Sequence, residues 1–160
     1  MLTIKLITVG KIKEKYLSNG ISEYAKRLSR YCKLDIVEIS DEKIPDNAGE
    51  KQEEMVKVTE GQKILNHLKD GIYTIALCVE GKQLDSVELC ETIDRLAVTG
   101  KSTIAFIIGG SVGLSDEVKS KADLKLSFSK FTFPHQLMRL ILLEQIYRSF
   151  KITSNETYHK

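Results

Sequence analysis

The sequence predicts an α/β protein, with a mainly parallel sheet and helices on both of its faces. Three observations lead there. Strand-like segments alternate with helix-like ones along all 160 residues, the order of repeated strand–helix–strand units. Two of the strand-like runs, "YTIALCV" (73–79) and "STIAFII" (102–108), are apolar at both parities, as strands covered on both faces are. The last helical stretch is apolar almost all the way round, so more than one neighbour must cover it.

The elements follow in chain order. Residues 2–9 ("LTIKLITV") alternate like a strand and stop at Gly10. Leu17, Ile21, Tyr24 and Leu28 share one helical face, and "KLDIVEI" (33–39) is a second strand. A linker-like stretch (41–50) leads to a charged helix from about Glu50 to Lys69. The strand 73–79 is followed by a helix from about Ser86 to Val98, with Asp85 as N-cap and Glu88 completing a capping box. The strand 102–108 runs into a glycine-rich turn, a short helix after Ser115, and a strand carrying Leu124, Leu126 and Phe128. At Phe131 and Phe133 the apolar parity switches, which a strand cannot do without a bulge, a kink or its end. Pro134 then fits the first position of a long helix reaching about Phe150. That helix carries Leu137, Met138, Leu140, Ile141, Leu142, Leu143 and Ile146, and in so short a chain a partner subunit is the easiest cover for its remaining side.

Length favours one domain, 1–160, with an ordinary globular composition of 42% hydrophobic and 29% charged residues. No apolar run approaches a membrane span, and no signal-peptide pattern opens the chain. Three scattered cysteines without a C-x-x-C read as reduced thiols of a cytoplasmic protein. His67, His135 and His159 have no metal-ligand spacing, so no metal is expected. Net charge is only +2, but it is segregated: residues 1–33 carry +6, 34–123 carry −8 and 124–160 carry +4. Two basic ends make a basic face if they meet in space; otherwise these lysines are solvated helix faces.

Ligands of such sheets bind at the carboxyl ends of the strands, which selects "EGK" (80–82), "GGSVGLS" (109–115) and "SKFTFPH" (129–135). "GGSVG" satisfies the nucleophile-elbow pattern, with Ser111 as nucleophile and Asp116 or Asp123 and His135 or His159 as partners in the right order. Against it, Asp116 falls within the elbow's own helix and no oxyanion loop is evident upstream. The same glycines suit a phosphate at a helix start, or simply permit backbone angles closed to other residues. Neither G-x-G-x-x-G nor G-K-[ST] is present. His135, just past Pro134, is placed to serve a ligand or to bond a neighbouring loop. Core packing is the plain expectation for at least two of the phenylalanines.

Taken together, "ITVGKIKEKY", "EGKQLDS", "FIIGGSVGLS", "LSFSKFTFPHQLMRLILLEQIYRSFKI" and a terminal "YHK" resemble the RlmH family of SPOUT methyltransferases over essentially the whole chain. The resemblance implies a SPOUT fold with a C-terminal deep trefoil knot, and S-adenosylmethionine (SAM) as cofactor. It also implies a homodimer whose substrate is N3 of a pseudouridine in helix 69 of bacterial 23S rRNA, methylated in the assembled ribosome. The implied cofactor contacts are Leu77, Gly109 and Gly110, and Phe128, Ser129, Lys130, Phe131, Thr132 and Phe133. Phe131 stands where other members carry Met or Leu. For the weakly acidic N3 proton the candidates are His135, Arg139, Tyr158 and His159, with Tyr158 and His159 orienting the base and Arg139 meeting phosphate or developing charge. Lys11, Lys13, Lys15, Arg148, Lys151 and Lys160 are candidate phosphate contacts. A serine hydrolase and a catalytically silent ribosome-binding protein are the rival readings.

Overall fold

The computed structural model describes all of residues 1–160. Five strands and five helices alternate: β1 (Thr3–Val9), α1 (Lys15–Leu28), β2 (Lys33–Ile39), α2 (Glu50–Leu65), β3 (Tyr73–Gln83), α3 (Ser86–Val98), β4 (Thr103–Ile108), α4 (Asp116–Lys121), β5 (Leu124–Ser127) and α5 (His135–Thr153). The strands form one sheet in the order β2-β1-β4-β3-β5, and every pairing is parallel.

Strand periodicity sorts the side chains into two cores. Ile4 and Leu6 of β1, Ile75 of β3, and Ile104, Phe106 and Ile108 of β4 face one side. There they meet Leu28 of α1, Leu89, Ile93 and Leu96 of α3, and Met138, Leu142, Leu143 and Ile146 of α5. Ile7 and Val9, Ala76, and Ala105 and Ile107 face the other side, against Ile64 of α2 and Val118 of α4. The small Ala76 and Ala105 suit this thinner layer of two helices.

Several boundaries differ from those the sequence predicts, each for a local reason. The helix α2 stops at Leu65, and the chain then turns through 66–71 toward Gly71, which has a φ of +90°. The strand β3 continues to Gln83, so "EGK" is not a loop but strand. Leu126 pairs with both Leu77 and Lys82, so Cys78–Gly81 bulge out between them. Gly81 is needed there, since a Cβ would lie 2.7 Å from the Lys125 carbonyl carbon. Pro134, with ψ of 130°, is the N-cap of α5 rather than its first helical residue.

The all-round apolar α5 is explained within one chain. It lies on the sheet between α1 and α3, so three of its sides are covered without a partner subunit. The expected capping box at the start of α3 is present: Glu88 N donates to Asp85 Oδ1 (2.7 Å) and Asp85 N to Glu88 Oε1 (2.9 Å).

Candidate active site

A cavity of about 240 Å³ opens beyond the carboxyl ends of β3, β4 and β5. Its first wall is the β3 bulge, with Leu77, Cys78, Val79 and Glu80. The second is the turn after β4, with Gly109, Gly110, Gly113 and Leu114. Ser127 to Ser129 and Phe131 to Phe133 form the third, and His135 and Met138 of α5 close the end. β1 and β4 are adjacent, yet their following connections leave toward opposite edges of the sheet; the cavity lies on the β3–β5 side of this switch point, sharing only β4 with it.

The glycine turn is compact because it lacks side chains. Gly113 N donates to the Gly110 carbonyl (3.1 Å), and a Cβ on Gly109 would sit 2.8 Å from the Gly113 carbonyl carbon. Opposite, Ser127 Oγ donates to the Ser129 carbonyl (3.0 Å), and Phe131 N donates to Ser129 Oγ (3.0 Å). The parity switch therefore marks the end of β5 and the start of a pocket wall. Among the three phenylalanines of 128–133 only Phe128 packs against the core; Phe131 is 78% exposed and Phe133 38%, so the expected packing of two of them fails. Lys130 is exposed and does not line the cavity.

His135 is half-buried, and burial together with the nearby Arg139 charge holds its pKa below the ordinary value, with Asp41 pulling weakly the other way. The imidazole is accordingly neutral at pH 7 and able to accept a proton. At the cavity mouth Lys119 pairs with Glu80; that hydrogen bond raises the lysine's pKa and lowers the carboxylate's. Burial pushes the Cys78 thiol up, which keeps it protonated.

The other sequence candidates lie elsewhere. Arg139 is 2% exposed and committed: Nη1 donates to Glu38 Oε2 (2.8 Å), and Nη2 to the carbonyls of Val9 (2.9 Å) and Gly10 (2.8 Å). Its Nε is buried without a partner, and with the whole side chain out of solvent no donor is presented to phosphate, so Arg139 braces the ends of β1 and β2 instead. Tyr158 donates to Glu144 Oε2 (2.7 Å) and packs edge-on against Tyr147. Burial and its bonds to Tyr24 and Glu144 push its pKa up, so the phenol stays a donor. His159 Nδ1 lies 3.1 Å from Arg148 Nη1, and neither tail residue lines the cavity of its own chain. Arg148 and Lys151 are engaged by Glu144 and Glu156, unlike the exposed Lys11, Lys13 and Lys15. Ser111 is exposed, makes no hydrogen bond to either histidine, and Asp123 is spent on Thr74 N, so no nucleophile triad exists. Sequence reasoning missed Glu80, Lys119 and Met138 as lining residues; only the "EGK" run gave a signal.

A family model described as a SPOUT methyltransferase matches residues 2–159. The chain belongs to the SPOUT methyltransferase family. A protein of Clostridium beijerinckii named ribosomal RNA large subunit methyltransferase H is 62% identical over 159 residues, covering 99% of this chain and all of the relative. Its namesake in Clostridioides difficile is 58% identical over the same span. Among solved structures, a probable methylase family protein from Haemophilus influenzae Rd KW20 shares the fold, with a TM-score of 0.52 at 14% identity, covering 99% of this chain and 70% of that one. As a SPOUT methyltransferase, the chain has its cleft where the residues singled out from sequence converge: eight of the nine expected cofactor contacts line it, as does His135.

Proposed function

We propose that this SPOUT methyltransferase moves a methyl group from SAM to N3 of a pseudouridine in helix 69 of bacterial 23S rRNA, acting on the assembled ribosome as a cytoplasmic homodimer. The observation that carries the reading is the convergence of the glycine turn, Leu77 and residues 128–133 on one cleft, in a chain that matches rRNA methyltransferase relatives end to end.

The cleft fits SAM. An adenine plane needs apolar walls and free main-chain groups, and Leu77, Phe128 and the side-chain-free Gly109 and Gly110 offer both. At about 240 Å³ the cavity falls below the ~300–1,000 Å³ of full ligand pockets, so in this chain alone it would enclose SAM only in part. SAM supplies an activated methyl on a sulfonium, so the protein's task is positioning and water exclusion. Leu77, Gly109, Gly110 and residues 128–133 would hold the adenosine part of SAM. His135, kept neutral, accepts the N3 proton of the target base as the nitrogen takes the methyl. Tyr158 and His159 are held near Glu144 in their own chain, so in this reading they serve the pocket of a second copy. Lys11, Lys13 and Lys15 are exposed, and Lys13 N donates to Gln136 Oε1 (3.5 Å), which sets the loop beside the pocket end of α5 for phosphate contact. The strand order that carries β5 past β3 is consistent with a C-terminal knot.

Calorimetry with SAM, followed by transfer of labelled methyl to ribosomes and to free 23S rRNA, tests the reading. Binding, and transfer to ribosomes mapped by mass to one pseudouridine, is expected. Binding without transfer favours the silent ribosome-binding protein, and labelling of Ser111 by a serine-directed probe favours the hydrolase.

A further inference from the structure

Behind the glycine turn lies a carboxylate that the mechanism does not use. Glu60, on α2, is 4% exposed. Its Oε2 accepts from Glu42 N at 2.9 Å, while Oε1 is buried with no partner. Oε1 occupies space at residue 110: a Cβ on Gly110 would lie 3.4 Å from it and 3.1 Å from Val9 Cγ1. The next residue, Gly61, lets α2 come this close, because a Cβ there would meet Ser115 Oγ at 2.5 Å. Lys63 neutralises Glu42 rather than Glu60, with Nζ 2.9 Å from Glu42 Oε1. A buried carboxylate with an empty oxygen costs stability, so packing alone gives no reason for it.

Glu60 touches one pocket wall, the glycine turn, and also the Asp41–Glu42 loop, which does not itself line the cavity. Through Glu42 it fixes the loop that carries Asp41 near His135, and through Oε1 it backs the glycine turn. We propose that Glu60 is a positioning residue that holds the Gly109–Gly113 turn in the shape the SAM pocket requires and anchors the Asp41–Glu42 loop near His135. The proposal rests on the SAM reading for its ligand but not for its geometry.

Glu60→Met and Glu60→Gln test it, with two readouts: SAM affinity by calorimetry, and amide hydrogen exchange of the ligand-free chain. Glu60→Met keeps the volume and removes both acceptors. It is expected to melt at the same or a higher temperature, to bind SAM at least tenfold more weakly, and to exchange faster at both 41–46 and 109–113. Glu60→Gln keeps one acceptor for Glu42 N and turns an amide toward Gly110. Faster exchange is then expected at 109–113 only, with a smaller loss of affinity. Wild-type exchange at both turns in Glu60→Met overturns the proposal, as does wild-type affinity. If Glu60→Met fails to fold, unchanged exchange and affinity in Glu60→Gln overturn it. A wild-type chain that does not bind SAM sinks the ligand reading, while exchange still reads Glu60 directly.

Discussion

His135 and Arg139 sit one helical turn apart, yet burial gives them different work. His135 lines the cleft and is the base of the proposed function, so His135→Ala is expected to slow methyl transfer by about 10²-fold while leaving SAM affinity near wild type. Arg139 satisfies two carbonyls and Glu38 from a buried position. Arg139→Met is therefore expected to cost about 2–4 kcal/mol in urea unfolding, mostly from the carbonyls left bare, since Glu38 is itself 41% exposed and regains water. The two buried titrating groups have opposite pH signatures. His135 lies below its ordinary 6.5, so as pH falls through that value the unfolded chain takes the proton first and stability drops. Glu60 lies above its ordinary 4.5 because of burial, so the fold holds its proton more tightly and stability rises as pH falls into that window. Stability curves of His135→Asn and Glu60→Gln between pH 4 and 8 should each lose one of these slopes. Pro134 and its junction made His135 legible in the sequence. Nothing there showed that Arg139 would be buried, because the charge that commits it, Glu38, stands a hundred residues away.

At the scale of elements, periodicity read well where one face is apolar and poorly where geometry departs from a regular ladder. The capping box at Asp85 was legible because its partners are three residues apart, and Asp85→Ala should cost about 1 kcal/mol of stability in thermal unfolding. The bulge at Cys78–Gly81 was not, since it arises from two residues of β3 competing for Leu126 on a strand that is distant in sequence. Gly81→Ala should break that approach: a Cβ there strikes backbone, which cannot step aside as a side chain can. The expected result is weaker SAM binding with β3–β5 amides exchanging faster, read by calorimetry and hydrogen exchange. The parity switch at Phe128–Phe131 was visible, but it left two outcomes, core or pocket wall. The tertiary structure decides between them: Met138, Leu142, Leu143 and Ile146 of α5 supply that core, while Phe131 and Phe133 stay exposed at the pocket.

For the whole molecule, the α/β class and the parallel sheet were legible from element order, whereas the strand order was not, because local pattern carries no information on which strands meet. Charge was legible as segments but not as surface: Lys11, Lys13 and Lys15 remain exposed, while Arg148 and Lys151 turn inward to acidic partners. Transfer to ribosomes should fall steeply with added salt, and replacing the three lysines by alanine should lower both rate and salt slope; a flat salt response counts against phosphate docking. Sedimentation is expected to give a dimer, and mixing chains defective at His135 with chains defective at His159 should restore part of the activity. The order of the strands also has a consequence for how the chain is made. β4, at the centre of the sheet, follows residue 102, and the larger core also needs α5, which is made after all five strands. Until α5 emerges, a nascent chain lacks the cover that Met138, Leu142, Leu143 and Ile146 give the core holding Ile4, Ile75 and Phe106. A message truncated anywhere before α5 therefore yields no smaller working enzyme, only an apolar surface for chaperones and proteases to clear.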